Sequence, residues 1–179
     1  MKGSDPMTTS IRPGIRPGTY LIDPTRSVVR FRATHMFGLK PVDGTFSIDS
    51  GTLVVAEDVE RSTVSVELDA GSFATDDERR NSDVRGKRFL HTAAYPRFGF
   101  RSTGVAATAG GWQLAGVLSV RGGSGEVVLD LVDAAPAGAG YRFSATTRID
   151  RVAVGAGGGR PIVGRYVDAT IEVYAAPVD

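Results

Sequence analysis

Apolar and polar residues alternate with period two through most of this chain, a pattern typical of β-strands that bury one side and expose the other. Val64, Val66 and Leu68, for example, alternate with Ser65 and Glu67. Further alternating runs cover residues 27–35, 42–48, 98–102, 112–120, 127–131, 141–147 and 167–173. The links between runs are short, so the pattern predicts about eight or nine antiparallel strands. Such a set of strands either closes into a barrel or stacks as two sheets.

Glycine-rich breaks mark the ends of several strands. Gly110-Gly111, Gly122-Gly123 and Gly138–Gly140 each lie between two alternating runs and predict hairpin turns. Ser50-Gly51 predicts a further turn, leading into a strand at residues 52–56.

Residues 76–91 interrupt the alternation. Acidic residues at 76–78 precede a set of arginines and lysines, a charge order that suits the start of a helix. Thr75 is the expected N-cap residue. The segment therefore predicts a short helix that lies over one barrel end, with Val84 and Phe89-Leu90 as its apolar plug.

Composition narrows the classes of function. The chain has 179 residues, 41% hydrophobic and 23% charged, with a formal net charge of +1. A net charge this close to zero produces no overall positive potential that would attract nucleic acid or an anionic membrane. Neither is therefore an expected partner. The absence of cysteine excludes disulfides, thiolate nucleophiles and Cys-based zinc sites. With only two histidines, a His-rich metal site is excluded, and no metal or cofactor is expected.

The N-terminus predicts an arm before a single folded domain. Residues 1–6 have the composition of a cloning remnant before a natural start at Met7, and residues 1–18 form an extended, Pro- and Gly-containing arm. Residues 19–176 form the barrel domain. The sequence shows neither the apolar centre of a secretory signal nor a run of transmembrane length. The expected location is the cytoplasm, without stable insertion into a membrane.

Several motifs in fixed order resemble the YceI-like family of polyisoprenoid-binding proteins. The opening Tyr20-x-Ile22-Asp23-Pro24 is followed by the alternating run to His35 and by Gly44-Thr45-Phe46. The resemblance covers residues 19–175. Its later motifs are Ser72-Phe73-x-Thr75, Phe89-Leu90, Tyr95-Pro96, Phe100-x-Ser102, residues 116–122 and Asp150-Arg151-x-x-x-Gly155.

The resemblance implies an all-β fold: an antiparallel, eight-stranded, lipocalin-like barrel with a short helix over one end. It also implies an apolar tunnel for a long isoprenoid or similar amphiphile, with no metal. The chain departs from the family pattern in two places. It has Arg26-Ser27 where the family usually has His-Ser, near the expected ligand entrance, and Asp83-Val84-Arg85-Gly86 lacks the family's helix histidine.

The candidate ligand-binding residues are the inward members of the alternating runs, with His35 at a strand end and Phe89 after the helix. They are Val29, Phe31, Ala33, His35, Phe46, Leu68, Phe89, Phe98, Phe100, Leu118, Leu129, Phe143 and Ala145. Inward residues of a small barrel also serve as plain core. Small inward residues favour a cavity, unless neighbouring rings lean into the gaps. These small residues are Ala33, Gly44, Gly116, Ala145 and Ala169.

The leading hypothesis is a non-catalytic carrier of an isoprenoid, an isoprenoid quinone or a fatty-acyl amphiphile. Arg79, Arg80 or Arg85 of the predicted helix could meet an anionic head group. No Gly-x-Ser-x-Gly or other nucleophile motif occurs, so no catalytic residue is assigned. Two alternatives stay open: an enzyme that uses His35 as acid or base on a lipid-like substrate, and a packed domain that recruits a protein. The proposed assembly is a homodimer formed through a strand edge or the arm.

Overall fold

The computed structural model describes residues 14–35, 40–158 and 163–179, with the backbone alone for Thr34, His35 and Val163. Strands dominate these ranges. In chain order the elements are β1 (Gly18–Ile22), β2 (Val28–His35), β3 (Lys40–Val55), a 3-10 turn (Val59–Arg61), β4 (Thr63–Thr75), α1 (Glu78–Arg85), β5 (Arg97–Thr108), β6 (Gly111–Val120), β7 (Gly123–Ala137), β8 (Gly140–Asp150) and β9 (Val163–Pro177).

The sheet closes into a barrel. Each strand from β2 to β9 pairs antiparallel with its neighbour in sequence, and β2 also pairs with β9, which completes a ring of eight. The short β1 pairs with both β3 and β9, and so continues the path of β2. The prediction of a closed, antiparallel, eight-stranded barrel is confirmed, and the stacked-sheet alternative is wrong.

The predicted turn at Ser50-Gly51 is wrong, because β3 continues through it from Lys40 to Val55. The pairing of β3 with β4 shifts register between Ile48 and Ser50, and this irregularity lets the long strand bend without a turn. Gly51 has a packing role instead. A Cβ atom at this position would overlap the side chain of Ile22, which lies against the glycine backbone.

The predicted short helix is present as α1, but its N-cap is Asp77 and not Thr75. The Asp77 side chain accepts a hydrogen bond from the backbone N–H of Arg80 at 3.1 Å. Thr75 instead bonds the buried side chain of Asn81, with its Oγ1 2.7 Å from the amide oxygen, which ties the helix to the end of β4. Among the described residues, no helix is long and apolar enough to cross a membrane.

Two of the inward glycines make no room in the barrel, contrary to the sequence expectation. A Cβ on Gly44 would overlap the ring of Phe31, and a Cβ on Gly116 would lie 2.5 Å from the ring of Phe100. The aromatic rings therefore lean over the glycines and fill the space that a side chain would take. Any cavity in this barrel has to come from other positions.

Substitution of Gly116 by alanine should destabilise the barrel by about 1–3 kcal/mol, the usual cost of overpacking. The added methyl group would meet the Phe100 ring and, at 2.7 Å, the backbone oxygen of Arg101, which cannot move aside. Gly99→Ala on β5 is the matched control, since nothing lies within 4 Å of its Cβ position. Urea unfolding of both variants measures the difference, and equal midpoints would contradict the packing described here.

Candidate ligand cavity

The barrel encloses a cavity of about 530 Å³ at the end covered by α1. This size falls within the roughly 300–1,000 Å³ range of small-molecule sites. Its wall is almost entirely aliphatic and aromatic. The strand residues that line it are Val29, Phe31, Ala33, Val42, Phe46, Ile48, Val66, Leu68, Phe73, Phe98, Phe100, Leu118, Val120, Val127, Leu129, Thr147, Ile149, Val167, Ala169, Ile171 and Val173.

Four phenylalanines form one side of the cavity wall. Phe46 lies at the centre, with ring centroids 5.5 Å from Phe31, 5.5 Å from Phe73 and 5.2 Å from Phe98. Phe31 and Phe73 also stack on each other at 5.4 Å. Tilted and edge contacts at these distances are the favoured geometry of aromatic pairs. The cluster therefore gives this wall a fixed, apolar surface.

Polar groups gather at one end of the cavity, where the N-cap Asp77 and the α1 residues Arg79, Arg80 and Asp83 contribute to its lining. They lie there because the N-cap and the first two turns of the helix follow directly after β4 ends. The lining is therefore apolar along its length and charged at this mouth. Such a division matches a ligand with a long apolar part and one polar end.

Three arginines of the helix were predicted to meet an anionic head group. They differ in how far their side chains are already engaged by other residues. Arg80 lies 3.3 Å from the Asp76 carboxylate and 3.8 Å from that of Asp77. Arg85 donates to the backbone oxygen of Phe73 at 2.6 Å, so it ties the helix to β4. The Arg79 side chain forms no hydrogen bond and no ion pair within 4 Å among the described residues, although its charge and its backbone N–H both act on Asp77. Of the three arginines, Arg79 therefore has the least engaged guanidinium at the mouth.

Two further arginines hold the segments that cover the mouth. Arg121 donates to the backbone oxygens of Lys87 at 2.9 Å and of Phe89 at 2.5 Å. The buried Arg151 donates to the oxygens of Ala156 at 2.6 Å and Gly158 at 2.7 Å. Both covering segments contribute to the cavity lining, through Phe89, Leu90, Val154, Ala156 and Gly158. Multiple hydrogen bonds from one guanidinium fix each segment in place.

Most of the candidate residues from the sequence meet in this one cavity. Ten of them line it: Val29, Phe31, Ala33, Phe46, Leu68, Phe89, Phe98, Phe100, Leu118 and Leu129. Phe143 and Ala145 lie on β8 but are not part of the lining. His35 ends β2, and its side chain lies outside the described part of the structure. Whether these residues bind a ligand stays a prediction.

Sequence reasoning missed one complete side of the cavity. Val167, Ala169, Ile171 and Val173 on β9 all line it, although their alternation was as clear as that of the chosen runs. The period-two pattern alone could have identified them. It could not have identified the role of Arg151, which the sequence offered only as part of the motif Asp150-Arg151-x-x-x-Gly155, because an arginine that donates to backbone oxygens has no period-two signature.

The position of Arg26 also differs from the expectation. Its guanidinium lies 4.0 Å from the centre of the Tyr174 ring, and it is not part of the cavity lining. Ser27 beside it is buried and accepts a hydrogen bond from the backbone N–H of Tyr174 at 3.0 Å. The pair therefore joins the β1–β2 turn to β9. This departure from the family pattern leaves the mouth unchanged.

The described residues contain no group of three or more His, Asp or Glu side chains that could hold a metal ion. The charged side chains elsewhere on the barrel form exposed pairs across strands, such as Arg32 with Asp43 at 2.7 Å and Arg148 with Asp168 at 2.9 Å. Exposed pairs of this kind contribute little to stability. The cavity and its mouth are therefore the strongest candidate site.

Comparisons with known proteins point to one family. A sequence model of a protein family, described as YceI-like domain, matches residues 20–175. Among solved structures, BcnA of Burkholderia cenocepacia has a TM-score of 0.72 and 25% identity, over 87% of this chain and 99% of that one. A polyisoprenoid binding domain from Saccharophagus degradans, implicated in plant cell wall breakdown, has a TM-score of 0.57 and 12% identity, over 91% and 100%.

A Campylobacter jejuni YCEI protein has a TM-score of 0.57 and 16% identity, over 74% of this chain and 83% of that one. At these low identities, the Saccharophagus and Campylobacter structures show a shared fold and no more. No curated protein matches the chain.

Acid should loosen the helix over the mouth through the cap residue Asp77. The backbone N–H of Arg80 donates to its carboxylate and, with the arginine charges nearby, lowers the pKa below its ordinary value. The stabilisation is therefore complete above about pH 4, the unfolded pKa, and is lost as pH falls through the lower folded pKa. Amide hydrogen exchange on α1, corrected for the intrinsic rate, should show this opening. Asp77→Asn keeps a cap without the titration, and the same acid response in that variant would contradict the assignment.

Proposed function

The chain belongs to the YceI-like family, and from this premise we propose that it is a carrier that binds one long-chain amphiphile inside its barrel. The supporting observation is the 530 Å³ cavity, with its apolar wall and its charged groups at one end. The Saccharophagus degradans protein that shares this fold is a polyisoprenoid binding domain, which agrees with this proposal. An isoprenoid, an isoprenoid quinone and a fatty-acyl chain all have the required apolar tail.

Affinity would come mainly from burial of the tail. Each methylene moved from water into an apolar site contributes about 0.8 kcal/mol. A tail along the wall of valines, leucines and phenylalanines therefore needs few polar contacts to bind tightly. The β9 residues and the phenylalanine cluster would both contact the tail.

The mouth would hold the polar end of the ligand. The exposed Arg79 brings a positive charge that is not held in a close ion pair among the described residues, whereas Arg80 lies within 4 Å of both Asp76 and Asp77. We therefore propose an anionic or strongly hydrogen-bonding head group. We also propose a role without catalysis. The cytoplasmic location and the homodimer both stay predictions, and the alternative role of His35 as an acid or base depends on a side chain outside the described part.

Enlarging Ala169 to leucine should reduce tail binding. Ala169 is buried and faces the cavity from β9, so the added carbons would take the place of part of the tail. The expected loss is roughly 2 kcal/mol, about thirtyfold in Kd, with little change in stability because the space is empty. Displacement of a fluorescent fatty acid by palmitate measures it.

Thr170→Leu is the matched control, since Thr170 is the next residue on β9 and is exposed. This variant should bind like the unmodified protein. If Ala169→Leu also bound palmitate normally, the ligand would lie elsewhere and the proposed function would fail.

Replacement of Arg79 by glutamine should weaken palmitate about fivefold, the effect of a solvent-exposed charge pair, and should leave the neutral alcohol of the same tail unchanged. The difference should shrink at high salt. Arg101→Gln is the control, because Arg101 is an exposed arginine on β5 that does not line the cavity. Equal loss for the acid and the alcohol would show that Arg79 shapes the mouth without pairing with a charge.

A further inference from the structure

We propose that the cavity accepts a single tail about as long as one leaflet of a membrane, and that a longer tail cannot be fully enclosed. This inference rests on the proposed function and adds a limit on the ligand. Its basis is that only one half of the barrel is hollow. On β3, β5, β6, β7 and β8 the lining stops at or before the middle of the strand, whereas on β4 and β9 it continues to Val66 and Val173. Beyond these positions lie core residues that do not line the cavity.

The filled half has a defined floor, which we take as Tyr20, Ile22, Leu53, Tyr141 and Phe143. Tyr20, Ile22 and Leu53 are buried in the main core cluster, and Tyr141 and Phe143 pack against it. The rings of Tyr20 and Tyr141 meet edge to face at 5.6 Å, and Tyr141 lies 6.2 Å from Phe143. None of the five lines the cavity. Side chains packed in this way leave no passage for a hydrocarbon.

The N-terminal arm fastens the floor from outside. The hydroxyl of Tyr20 donates to the backbone oxygen of Arg16 at 2.7 Å, and the N–H of Arg16 donates to the hydroxyl of Tyr141 at 3.1 Å. Ile15 packs against the core beside them. The two tyrosines are thus held by the ring contact and by the chain that crosses behind them. This arrangement makes the floor a fixed wall and not a loosely filled passage.

The depth of the hollow half follows from β9, where four successive inward residues line the cavity without interruption. Val167 to Val173 spans six steps, or about 20 Å along the strand at ~3.3 Å per residue. With barrel strands tilted by ~35–45°, this corresponds to a depth of about 15 Å along the axis. The hydrocarbon core of a bilayer is ~30 Å thick, so one leaflet is also about 15 Å. The cavity thus matches one ordinary membrane tail.

The tail limit is tested by partition of fatty acids of increasing length between phosphatidylcholine vesicles and the protein. Lauric, palmitic and stearic acids are tails of an ordinary leaflet and should be enclosed, the longer two with the bends that they also adopt in a membrane. Each should transfer equally well, since a methylene gains little on moving from one apolar site to another. Behenic and lignoceric acids leave methylenes in water at the mouth. Their transfer to protein should fall by about fourfold for each methylene that protrudes.

Variants of the floor locate the limit. Phe143→Ala should move the cutoff to longer acids, and Tyr166→Ala, which removes an exposed ring from the outer wall, should leave it in place. If Phe143→Ala does not fold, the length series on the unmodified protein still decides the question. Phe143→Leu then offers a milder opening of the same position.

Each outcome has one meaning. A cutoff between stearic and behenic acid that moves with Phe143 supports the inference. Uniform transfer up to lignoceric acid overturns it and leaves the proposed function intact, and a cutoff that ignores Phe143 overturns the assignment of the floor. If no fatty acid of any length binds, the proposed function itself fails.

Discussion

Closure of the sheet is the constraint on which the rest of this structure depends. Once β2 pairs with β9, every inward side chain of eight strands must share one narrow space around a common axis. A barrel of this size can be filled completely or can leave room for one small ligand. This protein does both at once, since core side chains, among them Tyr20 and Tyr141, close the far half, while aliphatic residues and phenylalanines line a cavity in the near half.

The boundary between the two halves also explains the distribution of polar groups. At the far end, the hydroxyls of Tyr20 and Tyr141 are satisfied by the backbone of the arm, so the floor needs no water. At the near end, Arg85, Arg121 and Arg151 satisfy backbone oxygens of the covering segments. The charges that remain available lie at the mouth, where a ligand would have to enter. Polar groups that stabilise the fold and charges that are available to a ligand thus occupy different positions along the barrel axis.

The period-two pattern was sufficient to predict the strands and nine of the residues around the cavity, and Phe89 came from the segment that interrupts the pattern. The helix over one end was predicted from the break in this pattern at residues 76–91 and from the acidic residues that precede the basic ones there. The strand predictions share a cause: alternation reports directly on which side of a strand is buried. The strand β9 was available to the same reasoning and was left out of the candidate set.

What the sequence could not predict depends on side-chain direction and on register. The glycines at 44 and 116 suggested open space, but whether a phenylalanine leans over a glycine depends on ring positions that no pattern encodes. The turn expected at Ser50-Gly51 failed because a shifted pairing with β4 bends the strand at the same place. Phe143 alternates like the lining residues, yet it belongs to the floor, since depth along the axis depends on how the strands are staggered.

The central claim is that the near half of the barrel is an empty apolar space and the far half is solid. Crystals of the ligand-free protein held under xenon gas test it directly, since xenon enters dry apolar cavities and is excluded from packed side chains. Xenon is expected in the cavity that the phenylalanine cluster and β9 line, and none is expected in the far half of the barrel, beyond Tyr141. Ordered water throughout that space, or side chains that fill it, would contradict the account.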